Sequence, residues 1–279
     1  MNYIELSIHY QKPDPWYDLI ADDLASISFE AFEEREGNLY AYIKKDQFDL
    51  QSIKHTATLS KLLDQVQLSH REIEQQNWNE EWESNYKPVV VNEQVLIRAP
   101  FHNKQEGFKI DIVIQPKMAF GTGHHETTQL MVGHMLELNL SGKRVLDIGT
   151  GTGVLAILAE KLGALDIIAM DTDTWAIENS SENIKVNDCR SIEVLLGSTD
   201  EVDAKFDVIL ANINTNILRD HGAFYFKQLF VGGTIVCSGF LKKDERTVKE
   251  SYTQNGFTYI NCNYFNDWCG MKLVKRGAE

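Results

Sequence analysis

Two glycine-rich stretches stand about twenty positions apart. MAFGTGHHETTQ runs from Met118 to Gln129, and DIGTGTGVLA from Asp147 to Ala156. The second lies between an apolar run that reads as a strand, KRVLDIG, and a helical one, GVLAILAEKLG. Glycine at such a junction permits a tight turn and lets a ligand lie against the backbone. A dinucleotide loop, G-x-G-x-x-G, would need Gly or Ala at position 154; this chain has Val154, with Gly153 one step early. No Lys-Ser or Lys-Thr follows, so it is not a phosphate-binding P-loop either. Gly149, Gly151 and Gly153 therefore suit a ligand without a diphosphate.

Asp171 closes the strand-like run DIIAMD, twenty-two residues after Gly149. A carboxylate at the end of a second strand can accept hydrogen bonds from both hydroxyls of a ribose. Its competing role is to cap the next helix, a task Asp173 or Thr174 would do as well. Asp147, just before the loop, could face a cationic group. Asn212, in LANINTN, ends a later strand, where ligands of open α/β sheets bind; the alternative is an asparagine capping the helix that follows. A ribose acceptor beside a glycine loop with no diphosphate signal fits S-adenosylmethionine. Its amino-acid tail can lie along the glycine backbone.

The elements that must position these residues alternate strand and helix from Lys143 onward. The order is KRVLDIG, a helix, DIIAMD, a helix through TWAIENSSENIKVN, SIEVLLGS, FDVILANI, one helix through NILRDHGAFYFKQLF, and GGTIVCSGF. This predicts a doubly wound parallel sheet. After the helix DERTVKESYTQNGF, the runs TYINCNYF and CGMKLVK are joined by too few residues for a parallel crossover. One late strand must be antiparallel, in a terminal hairpin.

The first sixty residues read as a smaller α+β unit. YIELSIHY is a strand. DPWYDLIADDLASI is a helix entered near Pro15, with Trp16, Ile20, Leu24 and Ile27 on one face. A hairpin is expected to turn at Gly37 and Asn38. Eight acidic residues and one arginine lie between Pro13 and Glu36. They are a solvated face or a docking surface for a cation. A partly helical linker is expected over 59–75, with Leu59, Leu62, Leu63 and Val66 at helical spacing. The units are then 1–58, 59–75 and 76–279.

The chain has 279 residues and a net charge of −14. Such acidity repels a phosphate backbone and attracts basic partners. No direct nucleic-acid binding is expected. No apolar run is long enough for a membrane span, and the start lacks the basic and apolar regions of a signal peptide. The four cysteines form no C-x-x-C pair, which predicts reduced thiols in a cytoplasmic protein and no zinc. Nothing suggests an obligate assembly, so a monomer is expected.

With these motifs in view, the chain resembles a known family. MAFGTGHHETT, VLDIGTGTGVLAI, MDTDTWAIENSSENIKVN and VILANI, with the Trp-containing NWNEEWESNYKPV, are similar to methyltransferases of ribosomal protein L11, the PrmA type. The first loop is the specific part. The resemblance implies a ferredoxin-like substrate-recognition domain, a linker and a seven-stranded, Rossmann-like methyltransferase domain. It implies S-adenosylmethionine as cofactor, a basic ribosomal protein as partner, and methylation of lysine side chains and the N-terminal amine. It carries cofactor contacts onto Thr128, Gly149, Gly151, Asp171 and Asn212, with the first loop folded over the methionine end. His124 and His125 become loop residues rather than metal ligands, since adjacent side chains point apart and no third ligand has suitable spacing. The strand end reads Asn212, Ile213, Asn214, Thr215 where the commoner amino-methyltransferase signature is Asn-Pro-Pro-Tyr. The Asn212 side-chain oxygen and the Ile213 carbonyl are the expected acceptors for the substrate amine. Alternatives stay open: an enzyme of the same fold acting on another protein amine, an amide or a small amine; methylation of RNA, which the acidity disfavours; and a module that binds the cofactor, or docks a basic partner, without turnover.

Overall fold

A computed structural model describes residues 2–10, 16–73, 83–117, 119–198 and 202–277. Pro15, Met118 and the tryptophans of NWNEEW lie outside them. The chain divides into two compact units, Met1–Asn85 and Tyr86–Glu279.

The first unit runs β1 (Tyr3–Tyr10), α1 (Trp16–Ala25), β2 (Ala31–Arg35), β3 (Asn38–Lys44), α2 (Leu50–Lys54), α3 (Leu59–Leu62) and β4 (Val66–Ile73). The sheet order is β2-β3-β1-β4, and every neighbour is antiparallel. Ile20 and Leu24 of α1 pack on Leu6, Leu39 and Ile43 of the sheet, as their helical spacing requires. The hairpin turns one residue earlier than expected, at Glu36 and Gly37, with φ of 50° and 74°. Both central residues of this tight turn need positive φ, and Arg35 then faces Asn38. The segment 59–75 is more than a linker. β4 pairs with β1 along its whole length, and Arg71 holds the buried Glu5 carboxylate through Nε (2.6 Å) and Nη2 (3.0 Å). A carboxylate buried on β1 needs such a partner, which ties β4 into the sheet.

The second unit opens with a three-stranded sheet that was not expected: β5 (Val89–Val91), β6 (Val95–Arg98) and β7 (Ile110–Val113). The β5–β6 turn takes positive φ at Asn92 and Glu93, without glycine to flag it. Then follow α4 (Glu126–Leu136), β8 (Arg144–Ile148), α5 (Val154–Lys161), β9 (Asp166–Asp171), α6 (Thr174–Val186), β10 (Ile192–Leu196), β11 (Phe206–Asn212), α7 (Thr215–Asp220), α8 (Gly222–Gln228), β12 (Leu229–Leu241), α9 (Glu245–Gln254), β13 (Phe257–Phe265) and β14 (Trp268–Lys275). Seven strands form one sheet in the order β10-β9-β8-β11-β12-β14-β13. The first five are parallel, and β14 runs antiparallel to both neighbours. Successive residues of β8 alternate between two cores, Val145 in one and Leu146 in the other, as a strand covered on both faces demands. The single helix expected through NILRDHGAFYFKQLF is two, broken at His221. The Arg219 carbonyl near the break accepts from the Ser251 hydroxyl (3.0 Å).

The direction of winding reverses between β8 and β11. The crevice beyond the carboxyl ends of these two strands is where such sheets place ligands. The glycine loop leaves β8 there, and Asn212 and Ile213 leave β11.

Candidate active site

The loop after β8 is held from below and above. Gly149 and Thr150 donate to the Met170 carbonyl of β9 (2.9 and 3.0 Å). Gly151 donates to Asp171 Oδ2 (2.9 Å), and Asp173 to Asp171 Oδ1 (3.1 Å). The Asp171 carboxylate thus orients the loop, while each oxygen keeps a further lone pair for a ligand. Asp173 itself caps α6 through the Trp175 N–H (3.0 Å), leaving Asp171 free of that task.

The first glycine stretch lies over this loop. Thr152 donates from its backbone to the Phe120 carbonyl (2.9 Å) and from its hydroxyl to the Gly121 carbonyl (2.6 Å). A Cβ at Gly151 would stand 2.2 Å from the Phe120 oxygen, so only glycine permits the crossing. The two histidines diverge as expected. His124 Nε2 bonds to the Lys87 carbonyl (2.8 Å), whereas His125 caps α4 through the Thr127 N–H and lies against Phe120 and Trp268.

Two cavities flank Ile213. One, of about 200 Å³, is lined by Gly149, Met170, Asp171, Gly197, Ile213 and His221, among others. The other, of about 240 Å³, is lined by Phe120, His125, Thr127, Asn212, Ile213, Asn214, Gly239 and Trp268. Ile213 is clamped between glycines. A Cβ at Gly149 would stand 2.5 Å from its Cγ2, and one at Gly239 2.1 Å from its carbonyl oxygen. Gly239 sits at a β-bulge in β12 with φ of 95°. Helix capping falls to Asn214, whose side chain accepts from the Ile217 N–H (3.1 Å), so Asn212 is not needed for it.

The structure therefore gathers Gly149, Asp171 and Ile213 at one cavity and Asn212 and Ile213 at the other. Gly151 lies beneath Phe120, and Thr128 is fully buried in the first turn of α4. Phe120, His125, Gly239 and Trp268 were not singled out from the sequence as parts of an acceptor cavity. The one signal available was Gly239 inside a strand-like run, which marks a bulge or a close approach.

Three buried oxygens of residues singled out from the sequence have no hydrogen-bond partner among the described residues: Thr128 Oγ1, Asp147 Oδ1 and, in the second cavity, Asn212 Oδ1. Buried polar atoms are rarely left so, and each awaits a ligand or a water. Asp147 is wholly buried; its Oδ2 accepts from the Thr150 hydroxyl (2.6 Å). Burial pushes its pKa up to about 7, against the pull of that bond. Acceptors near the loop, a carboxylate at β9 and glycines that admit no side chain fit an adenosine with a cationic amino-acid tail.

Fold and site together define a Rossmann-like methyltransferase domain. A model of the family described as ribosomal protein L11 methyltransferase (PrmA) matches residues 20–276. A ribosomal protein L11 methyltransferase of Porphyromonas gingivalis is 42% identical over 265 residues, spanning 92% of this chain and 90% of that protein. One of Bacteroides thetaiotaomicron is 39% identical over 279 residues, spanning 98% and 100%. The crystal structure of a ribosomal protein L11 methylase from Lactobacillus delbrueckii subsp. bulgaricus superposes with a TM-score of 0.65 at 29% identity, covering 69% of this chain and all of that one. The chain belongs to the ribosomal protein L11 methyltransferase (PrmA) family.

Proposed function

We propose that the chain transfers methyl groups from S-adenosylmethionine to lysine side chains and the N-terminal amine of ribosomal protein L11. The observation that carries this reading is the Asn212–Ile213 junction. It stands between two cavities, with a buried amide oxygen that has no partner of its own. When bound, the cofactor supplies a methyl group on a sulfonium, whose departure as a neutral sulfide needs no metal. Asp171 would receive the ribose hydroxyls, the glycine loop would pass the amino-acid tail, and Asp147 would balance its positive end. Thr128, whose buried hydroxyl has no partner among the described residues, would offer a further contact.

The chain's other task is to present a neutral amine. A lysine of pKa about 10.4 costs about 4.6 kcal/mol to deprotonate at pH 7. Phe120 and Trp268 line the second cavity with apolar surface that strips water from the ammonium and lowers this cost. The Asn212 side-chain oxygen and the Ile213 carbonyl accept the remaining N–H groups and aim the lone pair. Catalysis is then mostly positioning. The ferredoxin-like first unit and its acidic residues suit recognition of a basic ribosomal protein.

Incubation with radiolabelled cofactor and isolated ribosomal proteins tests the proposal. A single labelled band at L11 supports it. Label on another protein or on RNA would mean a different substrate for the same fold, and no label would mean a binding module.

A further inference from the structure

Outside this site, one cluster brings together groups that bind metals. Glu245 opens α9, Cys262 lies on β13 and Cys269 on β14, and one ligand atom from each falls within 4.8 Å of the others. It is the one such group among the described residues. Nothing in the linear sequence announces it, because no two members share a metal-ligand spacing. The hairpin assembles it. Cys262 faces Met271 and Cys269 faces Tyr264, so the two thiols are diagonal neighbours on one face of the β13–β14 ladder.

That register decides between the two things a pair of thiols can do. Diagonal positions in an antiparallel pair have Cα atoms roughly 7–8 Å apart, whereas a disulfide spans about 4.4–6.8 Å. A tetrahedral ion with metal–sulfur bonds of about 2.3 Å holds its ligand atoms a little under 4 Å apart. The cluster is close to that spacing, and the diagonal offset that strains a disulfide leaves room for an ion. Its chemistry is also selective. Two thiolates and one carboxylate are a soft set that prefers zinc to magnesium or calcium. The Tyr264 hydroxyl donates to Glu245 Oε2 (2.9 Å), which orients the carboxylate as outer partners of metal ligands do.

We infer that Glu245, Cys262 and Cys269 form a site for a zinc-class divalent ion, with its fourth position open to solvent beside the partly exposed Glu245 and Cys262. The ion crosslinks α9 to the terminal hairpin. It also stiffens the acceptor cavity indirectly. Cys269 follows Trp268, whose ring lines that cavity, and the Cys269 carbonyl accepts from the hydroxyl of Ser238, next to Gly239 (2.6 Å).

The test is a titration of the reduced full-length chain with cobalt(II). One equivalent should produce the near-ultraviolet thiolate-to-cobalt absorption and the strong visible bands of a four-coordinate ion, and zinc should bleach both. Cys262→Ser and Cys269→Ser should each abolish the charge-transfer band. Glu245→Gln should weaken cobalt binding by tenfold or more while keeping the band, and Cys189→Ser should change nothing. Absence of the band in the wild-type chain at excess cobalt would overturn the site, whether or not the variants fold. Its persistence in the double cysteine variant would do the same.

Discussion

The two cavities beside Ile213 are built in opposite ways. The cofactor side draws Gly149, Met170 and Asp171 from one stretch of β8–loop–α5–β9, within 23 residues, and completes it with Gly197 after β10 and with Ile213, Ile217 and His221 after β11. The acceptor side draws Phe120 and His125 from one loop, Asn212 from the end of β11, Gly239 from a bulge and Trp268 from the terminal hairpin. The first is centred on a local motif, and the second is wholly a meeting of distant segments. A local motif can serve any substrate that shares its cofactor, whereas the assembled wall must carry the choice of amine. The contrast predicts that damage on each side shows in a different constant.

Asn212→Ala gives the sharpest separation. It removes the side-chain acceptor proposed for the amine, and kcat should fall by about 10² to 10³, the loss typical of a single preorganised polar group. Cofactor Kd by calorimetry should move less than about threefold. Near-normal turnover would sink the role assigned to Asn212.

Gly239→Ala breaks the acceptor side without removing a polar side chain. The added Cβ would press on the Ile213 carbonyl from 2.1 Å, in a backbone conformation of positive φ that alanine resists. Displacing that carbonyl by an ångström should lower kcat/KM for L11 by up to about a hundredfold. Cofactor affinity should stay within a few-fold. If both constants fall together, the two cavities are not separable in the way their linings suggest.

Asp171→Ala is the converse. Loss of the ribose acceptor should cost about 2 kcal/mol of cofactor affinity, near thirtyfold in Kd, with kcat at saturating cofactor much less affected. Because Asp171 also accepts from Gly151, Asp171→Asn should retain more of the loop's order than the alanine variant. Equal Kd for the two would mean that the charge, not the loop bond, sets affinity.

The same contrast explains what could be read in advance. The seven-stranded sheet and its antiparallel hairpin were legible because apolar runs and connection lengths leave few topologies. Gly149, Asp171 and Asn212 were legible because each marks the end of a strand. Trp268 was not, since its place depends on how β13 and β14 fold back beside α4. The β5–β7 sheet escaped because its first turn is made by Asn92 and Glu93 rather than by glycine. The extent of the first unit was read short because β4 is an edge strand with mostly exposed side chains, and only its pairing with β1 reveals it. Thr152, which stitches one glycine stretch to the other, carries no signal in the sequence beyond its place between two glycines.

Asp147 gives the smallest effect on cofactor affinity, and it also sets a pH dependence of folding. Its carboxyl is held at about 7 by burial, far above its ordinary 3.8. Between pH 4 and 7 the unfolded chain has therefore lost a proton that the folded, ligand-free chain keeps. Stability from this group is fully present below pH 4 and falls as pH rises through the window, by at most about 1.4 kcal/mol per unit. Asp147→Asn should flatten that part of a denaturation series run from pH 5 to 7. Cofactor binding responds in the opposite sense. A cationic tail favours the ionised carboxylate, so wild-type affinity should rise several-fold between pH 6 and 8, and the Asn variant should lose that rise. A pH-independent Kd in the wild type would place the cationic end of the cofactor away from Asp147 and leave its unpartnered oxygen to some other donor.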